Sequence, residues 1–250
     1  MIPAEGLRAM FRPPPWVTGG ISTDDALFLV ERIAAVQPQT VLEIGIGAGT
    51  SAAAILYALD QLPAAADRVL YSVDVAPRCF FNPHHATGAA AEEMYPAPVC
   101  QWRRRIPSDA RRIRAELTPG TIDLIFVDGD HRHPWPLLDV LHVAPWARPE
   151  AWIALHDVSL ARLMPQFQSH GAEWLFSCWP EAFLAGVGAA ENIGAVRLPA
   201  NLEQLIPTAL DLLTLKRWEG QPRADEIDLP LIFAPVAAAL RHPRSWHVIK

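Results

Sequence analysis

Apolar positions first recur at helical spacing in STDDALFLVERIAAVQP, where Leu27, Val30, Ile33 and Ala34 fall on one face. Ser22 or Thr23 can cap this helix, acids occupy its first turn, and Pro38 ends it. The pattern then changes to short apolar runs separated by longer amphipathic segments. Thr40–Ile44, Val69–Val73, Val99–Trp102, Ile122–Val127 and Trp152–Leu155 predict strands. Ser51–Leu62, a stretch around Ala86–Met94, Asp109–Leu117 and Trp135–Ala147 predict the helices between them. Strands apolar on both faces and joined by helices make a parallel sheet covered on both sides, an α/β architecture. Two further strand-like runs follow, EWLFSCW (Glu173–Trp179) and IGAVRLP (Ile193–Pro199). With only about a dozen residues between them and no evident crossover helix, an antiparallel pair at the sheet edge is expected.

The flanks read differently. Residues 1–20, with Pro13-Pro14-Pro15, form an irregular lead-in to a domain over 21–200. Residues 201–250 form a helical extension, two helix-like segments around the charged loop EGQPRADEID. That extension is a lid, a partner surface or the contact of a homo-oligomer.

Composition narrows the function classes. At 250 residues and 51% hydrophobic, the chain has ample apolar material for one large core. A net charge of −6 argues against a nucleic-acid partner. The local cluster of Arg103, Arg104, Arg105, Arg111, Arg112 and Arg114 reads as a solvated strand end and helix face. Cys79, Cys100 and Cys178 are odd in number with no CxxC spacing, as expected of reduced thiols in a cytoplasmic protein. The N-terminus has no apolar signal-peptide core, and Asp60 and Pro63 interrupt the most apolar helix before it could span a bilayer, so no membrane association is expected.

The chemistry concentrates in VLEIGIGAGTSAAAIL, Val41–Leu56. Gly45, Gly47 and Gly49 follow the first strand and precede a helix, where a ligand can touch the main chain. A dinucleotide site wants G-x-G-x-x-G, whereas this turn is G-x-G-x-G-T with Glu43 just before it. A carboxylate about 4 Å from a pyrophosphate is repelled by about 4 kcal/mol, whereas it favours a ligand bearing an ammonium and a sulfonium. The second strand ends in Asp74, able to accept both hydroxyls of a ribose. FVDGDHRH then supplies Asp128, Asp130, His131 and His133, and ALHDVS supplies His156 and Asp157 at the next strand end. With neighbouring strands ~5 Å apart, these groups can converge. His131, and after it His156, is the candidate general base for a hydroxyl nucleophile. His84 and His85, with Phe80 and Phe81, either border a substrate or lie on the surface.

The Glu43–Thr50 stretch, the Asp74 strand end and DLIFVDGDHRHPWPLLDVLHVAPWARPEAWIALHDV resemble the class I S-adenosylmethionine-dependent methyltransferases, within them the small-molecule branch with V-D-G-D-H on the fourth strand. The resemblance spans roughly residues 20 to 200. It implies a Rossmann-like seven-stranded sheet in the order 3-2-1-4-5-7-6 with the last strand antiparallel. It implies S-adenosylmethionine held by Glu43, Gly45, Gly47, Gly49, Thr50, Ser51, Asp74, Asp128 and, at the adenine, Ser108 and Asp109; Ser108 can equally cap a helix with Asp109 in its first turn. Catechol-type relatives hold magnesium at the positions of Asp128 and Asp157, so Mg2+ is an optional second cofactor. The third ligand expected there is Val158, which cannot ligate, and His156 is a poor substitute because magnesium prefers oxygen. The usual glycine turn before the fifth strand is replaced by Ala147-Arg148-Pro149-Glu150-Ala151. No N-P-P-[YF] motif of amine methylation follows the fourth strand, which points to a hydroxyl of a small-molecule acceptor. The rival expectations are a non-catalytic S-adenosylmethionine-binding protein and an NAD-dependent oxidoreductase.

Overall fold

A computed structural model describes residues 2–241; Met1 of the lead-in and residues 242–250 of the extension lie outside the described residues. Seven strands form the main sheet: β1 (Thr40–Ile44), β2 (Val69–Val73), β3 (Gln101–Arg105), β4 (Ile122–Val127), β5 (Ala147–His156), β6 (Leu184–Val187) and β7 (Ile193–Arg197). Their order is β3-β2-β1-β4-β5-β7-β6, and β7 runs antiparallel to both of its neighbours. The helices are α1 (Ala4–Met10), α2 (Thr23–Val36), α3 (Thr50–Asp60), α4 (Ala89–Met94), α5 (Ala110–Ile113), α6 (Trp135–Val143), α7 (Leu160–Leu163), α8 (Gly171–Ser177), α9 (Leu205–Leu215) and α10 (Ala234–Arg241). No helix among the described residues is long and apolar enough to cross a membrane.

Alternation along each buried strand feeds two cores. Val41, Leu124 and Phe126 face Leu29, Ile33, Ile55 and Leu59 of α2 and α3. Leu42, Ile125 and Val127 face the other way, onto Ile113, Leu138, Leu141 and the extension. Both faces are therefore covered, which is why these strands are apolar throughout.

Several expectations change. EWLFSCW is not a strand but mostly helix α8, with Ala172, Leu175 and the following Trp179 buried at helical spacing. A short apolar run does not by itself separate the two periods. The sixth strand is the shorter Leu184–Val187. The third strand starts later than Val99 because the Asp60 carboxylate takes the Val99 and Cys100 amides. Its arginines suit a sheet edge. They are paired as well as solvated, Arg104 with Glu92 and Arg105 with Glu116, and Arg111 on α5 likewise pairs with Asp109 and Asp225. The fifth strand begins at Ala147, and Glu150 takes the positive φ of 60° that a glycine would otherwise supply.

The lead-in is not irregular throughout, since α1 buries Leu7. Farther along it, Trp16 stacks on His85 at 3.8 Å, and His85 belongs to a hairpin of Arg78–Cys79 with Asn82–Ala86. Phe80, at its tip, is exposed. The extension is no appendage: Leu205, Leu212, Phe233 and Val236 are buried in the same cluster as Ile125 and Ile153. Phe233→Ala should therefore cost about 3–5 kcal/mol of the whole fold's stability. Chemical denaturation followed by two probes should show one coincident transition at a lower midpoint. An unmoved midpoint would make the extension an independent unit.

Candidate active site

The turn after β1 is shaped by contacts that exclude side chains. Gly45 has φ +90°, and a Cβ there would meet the Asp128 carbonyl oxygen at 2.1 Å. Gly49, at φ +96°, caps α3 against Gly88, whose Cα a Cβ would meet at 2.9 Å. Gly47 differs: a Cβ there would meet nothing within 4 Å. The turn thus presents bare main chain to open space, a cradle that fits a ligand approaching the backbone.

The carboxylates around the turn act differently from their reading in the sequence. Glu43 is wholly buried, and its oxygens accept from the Ser51 and Ser72 hydroxyls, both at 2.6 Å. Glu43 and Ser51 are thus both buried and bonded to one another beneath the turn. Burial drives the Glu43 pKa up to about 7, with the Asp128 and Asp74 charges adding to it against the two serine bonds. Thr50 is also buried, close behind Gly20. Asp74 is half-buried, and its Oδ2 accepts from the Ile46 and Gly47 amides at 2.9 and 3.0 Å, fastening the turn. Ser108 is buried and donates its amide to the Asp74 carbonyl. Asp109, not Ser108, caps α5, accepting from Arg111 and Arg112.

The strand ends of β4 and β5 bring the second group together. His156 is buried, with Nδ1 at 2.9 Å from Asp128 Oδ1 and 3.4 Å from Asp157 Oδ1, and Nε2 at 3.6 Å from Asp25 Oδ2. Burial alone would push this imidazole down, but Asp128, Asp157 and Asp25 outweigh it and hold its pKa well above the ordinary value. His156 is then held as a pivot among three acids, which favour its charged form. His131 is half-exposed, and its Nδ1 lies 3.1 Å from Asp157 Oδ2. The other Asp157 oxygen accepts from Asn192 Nδ2 at 2.8 Å. Asp157 itself has φ +61°, an uncommon conformation for a non-glycine residue.

Asp25 and Asn192 escape a sequence reading as site residues. Asp25 shows there only as the acid of a capping box with Ser22, and Asn192 carries no signal. His84 and Phe80 stay outside this cluster.

Donor atoms of Asp128, His131 and Asp157 lie within 4.8 Å of one another. The set nonetheless fits magnesium poorly. It offers two carboxylates and one nitrogen, each carboxylate already carries an imidazole contact, and the neighbouring Val158 is apolar.

Residues 42–158 match a family model described as a methyltransferase domain. Comparison with curated proteins finds no match. Among solved structures, the fold is similar to the O-methyltransferase from Bacillus cereus in complex with SAH, at 16% identity and a TM-score of 0.53, covering 79% of this chain and 93% of that one. It is also similar to the SAH-bound methyltransferase PaMTH1 of Podospora anserina, at 13% identity and a TM-score of 0.54, covering 78% and 85%.

The buried Glu43 makes stability depend on pH. Its folded pKa of about 7 lies above the ordinary 4.5, so the folded state holds the proton more tightly. That contribution is complete below the lower value and is lost as pH rises to the upper one, on the order of 3 kcal/mol in all. Denaturation between pH 4.5 and 7.5 should show this loss in the parent protein and not in Glu43→Gln. Parallel profiles would refute it.

Proposed function

We propose that this chain, whose residues 42–158 match a family model described as a methyltransferase domain, is a class I S-adenosylmethionine-dependent methyltransferase that methylates a hydroxyl oxygen of a small molecule with His131 as general base. The observation that carries this reading is the His131–Asp157 pair at the strand ends. A carboxylate on Nδ1 fixes the ring and its tautomer, leaving the Nε2 lone pair for the acceptor's proton. Asp157 also stabilises the imidazolium that results.

Bound S-adenosylmethionine supplies an electrophilic methyl group on a sulfonium. The Gly45–Gly49 main chain, Asp74, Ser108, Asp109 and Asp128 are the residues that would hold it. Of these, Gly47 opens onto free space and Asp74 and Asp128 are half-buried at the strand ends. His131 takes the hydroxyl proton as the oxygen attacks, and Asp157 holds the ring in line; positioning provides most of the remaining acceleration. No metal enters this scheme, since Asp128 and Asp157 are already bonded to imidazoles.

The absence of N-P-P-[YF] after β4 and the shared fold with the Bacillus cereus O-methyltransferase support oxygen as the nucleophile. The net charge of −6, with the β3 arginines in ion pairs or stacked on aromatic rings, favours a small acceptor over nucleic acid. Three free cysteines, Cys79 and Cys100 buried, suit the reducing cytoplasm.

Methyl-labelled S-adenosylmethionine offered with a panel of phenols, sugars and polyketide alcohols should yield a labelled ether. His131→Ala should lose about 10²–10⁴-fold in turnover. Its S-adenosylhomocysteine affinity by calorimetry should stay within about twofold, since His131 is not a cofactor contact. Full activity in that variant would end the base assignment. EDTA dialysis should leave the rate unchanged; a rate restored only by added magnesium would overturn the metal-free scheme.

A further inference from the structure

The loop from Asp128 to Pro134 leaves β4 without regular structure before α6 begins at Trp135. It carries His131, yet much of its hydrogen bonding goes to chain far beyond the matched domain. Glu219, which follows α9, is 10% exposed at its side chain and collects three N–H groups. Its Oε2 accepts from the His133 amide at 2.8 Å and the His170 amide at 3.0 Å, and its Oε1 accepts from His170 Nδ1 at 2.6 Å. The main chain answers in kind: the Glu219 and Gly220 amides donate to the His133 carbonyl at 2.9 and 3.0 Å. One step along, the Gly171 amide donates to the His131 carbonyl at 2.8 Å.

The approach is too close for other residues. A Cβ on Gly171 would sit 2.6 Å from the His131 oxygen, and one on Gly220 would sit 2.7 Å from Trp135 Nε1. His133 meets Trp174 edge-on, His170 stacks on Trp174 at 4.9 Å, and Lys216 lies over the same indole. A carboxylate this buried needs such charge-assisted partners, and they in turn fix the segments that donate them.

We propose that Glu219 is a positioning residue for His131: through His133, His170 and Gly171 it locks the loop so that the His131 ring meets Asp157. This deepens the function proposed above, whose base assignment it rests on. A displacement of about 1 Å at a reacting group can cost on the order of 10²-fold, so a brace on the loop backbone bears directly on turnover.

The test uses the full chain labelled with ¹⁵N-histidine, with the His131 ring signals identified by their loss in His131→Ala. In Glu219→Ala these signals should shift or broaden. Glu219→Gln should recover them, because its amide oxygen still accepts from the two main-chain amides. S-adenosylhomocysteine affinity by calorimetry should stay within about twofold, because the hydrogen-bond partners of the Glu219 carboxylate, His133 and His170, lie outside the glycine turn. If Glu219→Ala does not fold, Glu219→Asp is read instead; one methylene shorter, it cannot span His133 and His170 together and should move the same signals. Unchanged His131 signals in a folded variant would overturn the proposal. An equal loss of S-adenosylhomocysteine affinity would overturn it too, by making Glu219 a general support. Failure of the parent protein to bind S-adenosylhomocysteine would instead defeat the methyltransferase reading, and the ring signals would still report on the brace.

Discussion

One imidazolium holds the candidate active site together. His156 ends β5 inside a ring of carboxylates from three separate elements, Asp25 of α2, Asp128 after β4 and Asp157 after β5. Without that cation, three acids would face one another in a largely buried pocket, and each would have to take up a proton or draw in water. With it, Asp157 is held well below the ordinary carboxylate range, His156 opposing the effect of burial. Asp128 is fixed at the spot where its carbonyl closes over Gly45, so the same pivot also sets the floor of the glycine turn.

Two histidines of this site thus have opposite duties, decided by surroundings and not by residue type. His156 is enclosed by acids and stays charged. His131 touches one acid, through Nδ1, and is half-exposed. Asp157 links them, one oxygen toward each ring, in a backbone conformation that costs of order 1–3 kcal/mol. The Asn192 bond and the main-chain bond from Val158 to Asn192 hold it there. Strain placed at this residue is what aims a single carboxylate at both imidazoles.

The sequence is legible wherever a local rule decides the outcome. β1, β2 and β4 lie where their apolar runs place them, and the glycine spacing marks the turn. The run EWLFSCW fails because seven apolar-rich residues satisfy both periods, and only packing of Leu175 and Trp179 beneath the sheet selects the helix. Glu43 shows what packing adds to a motif. Its place in the motif is unmistakable, but two serines, Ser51 eight residues on and Ser72 on the next strand, turn it inward. With its pKa near 7 it is a weak source of the charge contrast that the sequence alone would assign it. What distinguishes this sheet from a dinucleotide fold is instead β7, inserted antiparallel between β5 and β6. Asp25, Asn192 and Glu219 carry no motif for their place in the site, because each acts there on a partner more than thirty residues away.

That distance explains the shape of the whole chain. The matched domain ends at Val158, yet its reactive loop has no regular structure of its own and its carbonyls at His131 and His133 look outward. A loop in that position must be mobile, bound to water, or braced by other chain. Here α8 and the segment after α9 supply the brace, and the extension's burial of Leu205, Leu212 and Phe233 supplies the rigidity behind it. A brace can fix a loop only as well as it is fixed itself, so an extension packed into the common core does what a separate lid could not.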